Sequence, residues 1–327
     1  MTLSLVTGGA GFVGARLVRA LQARGETVRV FDLNPASGVE TVVGSVEDAE
    51  AARAAVRGVD VVYHLAGDAQ LWAREAERFD RVNHQGTRIV LAAAAAAGVR
   101  RVVHCSSLTT LVGRTTPVGA SFADETREIS PGDALGPYPR SKALAEQAVA
   151  EAVARGLDAV IAIPTEPLGA GDARLTPPSR MIVDLVNGRI PATIACLLNF
   201  VSVDSLADGF IAAAARGRRG QRYILGGENV PMARLLAELE RQTGKKMPQL
   251  TLPYVIALAA GVVDTAILSR ATGKAPGAPL TGVRLAGRRV SFSSGKAEIE
   301  LGWKSQPFER SLAEALDWFR GQGVISF

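Results

Sequence analysis

Apolar residues keep two rhythms along the first 165 residues: short continuous runs, and longer segments where they recur at helical spacing. Residues 3–7 form an apolar run, a glycine-rich turn follows, and residues 12–24 carry a helical pattern that Gly25 stops. Residues 27–31 predict a second strand, 47–56 a short helix and 59–65 a third strand. A long helix is expected from about Trp72 through Leu91 and six successive alanines, with Gly98 at its C-cap. Residues 101–106 predict strand four, 138–155 a helix and 159–163 strand five. This alternation means βαβ units, an α/β fold with a doubly wound parallel sheet and helices on both faces.

After Pro164 the rhythm breaks. Residues 164–191 are rich in Pro and Gly, an apolar segment returns at 197–203, and helices are expected over 232–243 and 312–320. The division this suggests is a sheet domain over 1–165, to which a strand and helix return at about 198–225. Residues 166–327 are then mainly a smaller C-terminal lobe over the sheet's carboxyl edge. Residues 250–268 invite a membrane check, but the continuous run ends at Asp264, and Pro253 and Gly261 interrupt it. A spanning helix needs about 20 apolar residues. A buried or cleft-covering helix is expected here, with no stable membrane insertion.

Composition narrows the class. A chain of 327 residues, 47% hydrophobic and 21% charged, has room for two domains and is not disordered. Two cysteines, Cys105 and Cys196, make neither a disulfide framework nor a C-x-x-C pair. The net charge of +5 comes from an Arg excess spread along the chain. Arg216, Arg218, Arg219 and Arg222 are too short a run for nucleic acid and read as a solvated loop. The N-terminus has no basic region or cleavage site, so a cytoplasmic protein is expected.

The first turn carries the chemistry. Thr7-Gly8-Gly9-Ala10-Gly11-Phe12-Val13-Gly14 links the first strand to the first helix. Its glycines serve a tight turn, close backbone approach to a pyrophosphate and close helix–sheet packing, as in Rossmann-type domains. The helix N-terminus adds free N–H groups and a positive dipole end. Asp32 ends the second strand, where a carboxylate accepts ribose hydroxyls and repels a 2′-phosphate. Leu33, Asn34 and Pro35 follow with no cation, so NAD(H) is favoured over NADP(H).

Further markers follow in order: His64-Leu65-Ala66-Gly67, Asn83 with Gly86-Thr87, Ser106-Ser107, Tyr138-x-x-x-Lys142, and residues 164–172. Together with the glycine turn they resemble the extended short-chain dehydrogenase/reductases of the NAD-dependent epimerase/dehydratase superfamily. Leu71-Trp72-Ala73-Arg74, residues 222–229 and Trp318-Phe319-Arg320 are most similar to one branch. That branch holds dihydroflavonol reductases, 3β-hydroxysteroid dehydrogenases and the hopanoid-associated sugar epimerase group. The resemblance implies an NAD site built from Gly8, Gly11, Phe12, Val13, Gly14, Asp32, Leu33, Leu65, Ala66, Gly67, Tyr138, Lys142, Pro164 and Thr165. The family's Gly-Asp pair reads Gly44-Ser45-Val46 here, so adenine contact falls to Ser45 and Val46 or to backbone.

Tyr138 and Lys142 lie one turn apart on one helix face. A phenol of pKa about 10 needs a nearby cation to work at neutral pH, and Lys142 supplies one. By resemblance, Lys142 also holds the nicotinamide ribose, and Asn83 supports a proton relay to it. Ser107 is the choice for a third, substrate-binding hydroxyl, with Thr109 or Thr110 as alternatives because the segment is one residue long. His64 and His104 read as packed or cofactor-adjacent, and His84 lies on the long helix. None has metal-ligand spacing, and no metal is implied.

Three departures speak against a nucleotide sugar. Family members that bind one carry an Arg-Phe-Asn type sequence where this chain has Ile163-Pro164-Thr165. They also carry an Arg-Asp-Phe-Val/Ile-His type segment where it reads Leu198-Asn199-Phe200-Val201-Ser202. A dehydratase's Asp-Glu pair is missing after Ser107. An apolar lobe then implies a lipophilic ring substrate: aromatic, polyketide, quinone-like, steroid or terpenoid. The leading reading is hydride transfer between nicotinamide and a carbonyl or secondary alcohol. The alternatives are a sugar epimerase that retains its NAD and a non-catalytic dinucleotide-binding protein. The resemblance further implies a homodimer through the long helix before Gly98 and the Tyr138 helix.

Overall fold

In the computed structural model, which describes residues 2–327, the chain begins with β1 (Leu3–Thr7), α1 (Phe12–Ala23), β2 (Thr27–Asp32), β3 (Glu40–Val43) and α2 (Ala49–Ala55). Next come β4 (Val61–His64), α3 (Glu77–Phe79), α4 (Gly86–Ala96), β5 (Arg101–Cys105), β6 (Ser121–Ala123), α5 (Pro137–Ala154) and β7 (Ala159–Pro164). The strands β11 (Arg222–Leu225), β7, β5, β4, β1, β2 and β3 form one parallel sheet in that order. All four residues of β4 and all six of β7 are buried, the continuous apolar signature of strands covered on both faces. One core cluster joins α2, α4 and α5 to the sheet, and another joins α1 and α7 (Val203–Arg216) to its opposite face.

The strand order reverses between β1 and β4, the switch point where doubly wound sheets bind ligands beyond their carboxyl ends. Thr7 pairs in register with both Phe31 and His64, so the three connections leave the sheet side by side.

The lobe is built from β8 (Glu166–Leu168), α6 (Pro177–Val186), β9 (Ala192–Ile194), β10 (Leu197–Ser202), β12 (Glu228–Pro231), α8 (Met232–Thr243), β13 (Leu250–Leu252), α9 (Tyr254–Val263), α10 (Ser269–Thr272), α11 (Leu280–Ala286), β14 (Val290–Phe292) and α12 (Phe308–Gly321). β12, β10 and β8 make a second sheet, and two strand pairs, β13–β9 and β14–β6, complete it. The apolar segment at 197–203 therefore pairs outside the large sheet, while α7 and β11 return to it. Its own core includes Leu185, Phe200, Leu235, Phe308 and Phe319.

Four expectations change. The helix foreseen from Trp72 starts at Glu77, because the Asn83 side chain clamps both backbone groups of Asp68 and holds the preceding loop open. β3 escapes the apolar pattern because it is a half-exposed edge strand. The basic run divides: Arg216, Arg218 and Arg219 are exposed around the turn after α7, as expected of a solvated loop, while Arg222 on β11 turns inward to pair with Glu146. Residues 250–268 split into β13 and α9, and the helical part lies mostly exposed, with Gly261 its only buried residue in α9.

Candidate active site

The turn after β1 is shaped for a close-lying ligand. Gly8 has φ +73°, and a Cβ there would stand 2.8 Å from the Ala66 nitrogen. A Cβ on Gly14 would stand 2.1 Å from the Gly8 carbonyl oxygen, backbone against backbone. Gly11 caps α1 without a side chain, and no acidic residue occupies the first turn. The N-terminal N–H groups thus meet an open cradle, a good host for a diphosphate. Asp32 lies beside it: one carboxylate oxygen accepts the Ala10 N–H at 3.1 Å and the other the Asn34 N–H at 3.0 Å. Leu33 is exposed, Val46 is buried against Gly86, and the Ser45 hydroxyl turns to Glu47.

A directed hydrogen-bond chain sets the opposite wall. The Ala66 N–H donates to Thr7 Oγ1 (3.0 Å), which lies 2.8 Å from His64 Nδ1. His64 Nε2 lies 3.0 Å from Thr87 Oγ1, whose hydroxyl donates to the Asn83 carbonyl at 2.6 Å. Each hydroxyl has one proton to give, so Thr7 donates to Nδ1 and the Nε2 proton goes to Thr87. His64 is held as one neutral tautomer, and burial lowers its pKa to about 3. The marker His64 thus fixes the backbone of Leu65, Ala66 and Gly67.

Asn83 sits in a π-helical turn, Asp80–Gln85, between α3 and α4. Such bulges in α-helices occur frequently at functional sites. Its amide oxygen accepts the Asp68 N–H, and its nitrogen donates to the Asp68 carbonyl and to Ser141 Oγ. Ser141 in turn donates to the Tyr138 carbonyl. Asn83 therefore joins the 66–68 loop to the first turn of α5.

α5 opens with Gly136 at the N-cap and Pro137 inside the first turn. Tyr138 and Lys142 are both buried on its inner face. The Tyr138 phenol faces the Ser107 side chain, and the Lys142 ammonium donates to the Cys105 carbonyl at 2.9 Å. Burial pushes the phenol above its ordinary value, while the Ser107 hydroxyl pulls it down; burial also lowers Lys142. The phenol is thus held protonated.

The third hydroxyl was open between three residues. Ser107 meets Tyr138, and Thr109 Oγ1 donates to Ser107 Oγ at 3.1 Å. Thr110 faces away, donating to Glu146 at 2.7 Å. Glu146, which belongs to no motif in the sequence, lies on α5 two turns past Tyr138. It pairs with Arg222 at 3.0 Å and accepts from Ser106 and Thr110, all buried or nearly so. Pro164 and Thr165 complete the cleft at the end of β7, where Thr165 Oγ1 is buried without a partner.

A dinucleotide cradle at the switch point of a seven-stranded sheet, facing a phenol, a hydroxyl and an ammonium, defines a dinucleotide-dependent oxidoreductase. The chain belongs to the NAD dependent epimerase/dehydratase family, which it matches over residues 4–226. It is 33% identical to the putative dihydroflavonol 4-reductase of Synechocystis sp., over 98% of this chain and 95% of that protein. It is 34% identical to sterol demethylase protein B of Methylococcus capsulatus, over 98% and 99% of the two. Among solved structures, that of gox2253 is 34% identical, has a TM-score of 0.85 and covers both chains completely. The protein is an NAD(H)-dependent enzyme of the extended short-chain dehydrogenase/reductase type. Among the described residues no acid, Cys and His cluster suited to a metal occurs, and no helix is long and apolar enough to cross a membrane.

Proposed function

We propose that this enzyme interconverts a carbonyl and a secondary alcohol on a lipophilic ring compound. The observation that carries the reading is the fate of Leu198 and Ser202. Leu198 is buried in the apolar core of the lobe, and Ser202 Oγ accepts the Ser205 N–H as the N-cap of α7. Neither is left to hold a nucleotide diphosphate. The names of two relatives, a dihydroflavonol reductase and a sterol demethylase protein, both concern polycyclic compounds.

The residue roles belong to the same proposal. Gly8, Gly11, Phe12, Val13 and Gly14 take the diphosphate of NAD, Asp32 and Leu33 the adenosine ribose, and Ser45 with Val46 the adenine. Leu65, Ala66, Gly67, Pro164 and Thr165 surround the nicotinamide end, with Tyr138 and Lys142 at its ribose. NAD(H), when bound, supplies the hydride-transfer chemistry. Tyr138 gives or takes the proton at the substrate oxygen, and Ser107 hydrogen-bonds that oxygen. Lys142 keeps a cation beside the phenol, offsetting part of the burial that opposes phenolate. Asn83 holds the loop and helix that frame this group; its own bonds run to Asp68 and Ser141 rather than to Lys142. Residues 1–165 with the returning 203–225 segment serve as the cofactor domain, and 166–327 mainly as the substrate lobe. A homodimer through α4 and α5 completes the proposal.

The test is NADH oxidation with a panel of ring ketones. Turnover is expected, and Tyr138→Phe should lower it about 10²- to 10⁴-fold while NADH still binds. Unchanged turnover in that variant refutes the assignment. Purification with tightly held NAD and no net consumption identifies an epimerase instead.

A further inference from the structure

The most apolar stretch of the chain goes against its composition. Residues 254–272 run on as α9, a π-turned segment Asp264–Leu268, and α10. Val255, Ile256, Val262, Val263, Ile267 and Leu268 are 41% to 69% exposed. With exposed Ala259, Ala260 and Ala266 they form a stripe at helical spacing on the solvent side. The inward positions are small or polar. Gly261 packs on Val283, Asp264 accepts the Ala278 N–H and Thr265 the Leu280 N–H, each at 2.9 Å, and Ser269 is buried. The usual order of a surface helix is inverted.

The same stretch of sequence is basic. Residues 245–290 hold seven basic side chains and one acidic one, a net +6 in a chain whose total is +5. The positive charge is therefore concentrated here instead of being spread along the chain. Asp264 is the one acid, and it is taken by a backbone N–H. Of the arginines, Arg289 is exposed and donates to the Ala195 carbonyl, while Arg284 and Arg288 turn inward to the carbonyls of Leu135 and Arg114. Lys274 is exposed beyond the end of α10.

We infer that this face docks the enzyme on an anionic lipid surface, with the 254–272 segment lying in the interface plane. An apolar stripe flanked by cations and poor in acids gains from buried area and from anionic headgroups at once. A second copy seated face to face would set net +6 against net +6. The face is also joined to the catalytic cleft. Thr281 of α11 packs on Gly136, just before Tyr138, and its neighbour Gly282 packs on Leu71. A cleft of about 470 Å³ lined by Ile194, Leu252, Pro253 and Tyr254 opens at the start of α9. On the lipophilic-substrate reading, on which this last step alone rests, a ring compound dissolved in the bilayer enters beside α11.

The test is flotation of the full chain with phosphatidylcholine vesicles, with and without phosphatidylglycerol. Binding is expected with phosphatidylglycerol and should weaken as salt is raised. Ile256→Asp with Ile267→Asp should lower partitioning at least about tenfold, and Lys274→Glu about fivefold, with NADH affinity unchanged in both. No binding by the wild type, or wild-type binding by the aspartate variant, overturns the proposal. A variant that loses a dimer in size-exclusion chromatography, with vesicle binding retained, also overturns it and assigns the face to a second copy. Vesicle binding without turnover of any ring ketone refutes the substrate reading and leaves the docking face standing.

Discussion

Along α5 the residues turned inward are Tyr138, Ser141, Lys142 and Glu146, a polar stripe buried against the sheet. Along α9 the residues turned outward are Val255, Ile256, Val262 and Val263, an apolar stripe given to solvent. The polar groups on α5 meet polar neighbours: Ser107 beside the phenol, Asn83 for Ser141, the Cys105 carbonyl for Lys142, and Arg222 for Glu146. The outward apolar groups on α9 join no core cluster among the described residues. A buried polar stripe persists only when its partners are all present, whereas an exposed apolar stripe points to a partner outside the chain. The first deviation marks chemistry and the second marks a surface.

The most damaging way to break the first stripe is Arg222→Met. It leaves Glu146 without its cation while burial already pushes that carboxyl above its ordinary value. A loss of about 3–5 kcal/mol in urea unfolding is expected, smaller at acid pH, where the carboxyl protonates. Adding Glu146→Gln should restore much of it. If Arg222→Met costs no more than Arg218→Met, whose guanidinium is exposed, the stripe is not held by its partners.

Ser107 and Thr110 separate the catalytic from the structural part of the same network. Ser107→Ala should lower turnover about 10²-fold with little change in NADH affinity. Thr110→Ala removes a bond to Glu146 and should cost about 1 kcal/mol of stability, with turnover nearly intact. The reverse result would move the third hydroxyl to Thr110.

The strand–helix alternation, the glycine turn and the Tyr138–Lys142 pair were all legible because their signals are local. Gly8, Gly11 and Gly14 lie within one turn, and Tyr138 and Lys142 within one helical turn. The Glu146–Arg222 pair was not legible, since it forms only when β11 closes the edge of the sheet next to β7. Arg222 in sequence looks like one more member of a basic run. The π-helical turn around Asn83 has no composition of its own; it shows only once the amide is seen clamping Asp68. α9 misled for a different reason. Hydrophobicity predicts removal from water, and the pattern cannot say whether the covering comes from this chain.

A second carboxyl sharpens the role of partners. Glu166 at the start of β8 has only the Asn199 N–H at 3.2 Å, and burial pushes its pKa up to about 8. The folded state then holds a proton that the unfolded chain, near the ordinary value of 4.5, has lost. Stability is therefore greatest below that ordinary value, falls as pH rises toward about 8, and levels off above it. Glu166→Gln should remove this slope, and the gap in Tm between the two proteins, a few degrees, should widen across that window. A wild-type slope that survives in the variant would assign it to another group.

The smallest effect is the one that tests α9 most directly. Ile256 is 52% exposed, so Ile256→Ser removes little area that folding buries. Its cost should stay within about 0.5 kcal/mol in urea unfolding of the isolated protein. Val149 on α5 is fully buried, and Val149→Ser should cost about 2–3 kcal/mol through lost burial, a small void and an added hydroxyl. If Ile256→Ser costs as much as Val149→Ser, α9 is covered within the protein in solution, and the contrast between the two helices disappears. A small cost means that the α9 stripe serves something other than folding, because apolar side chains in water add nothing to the core.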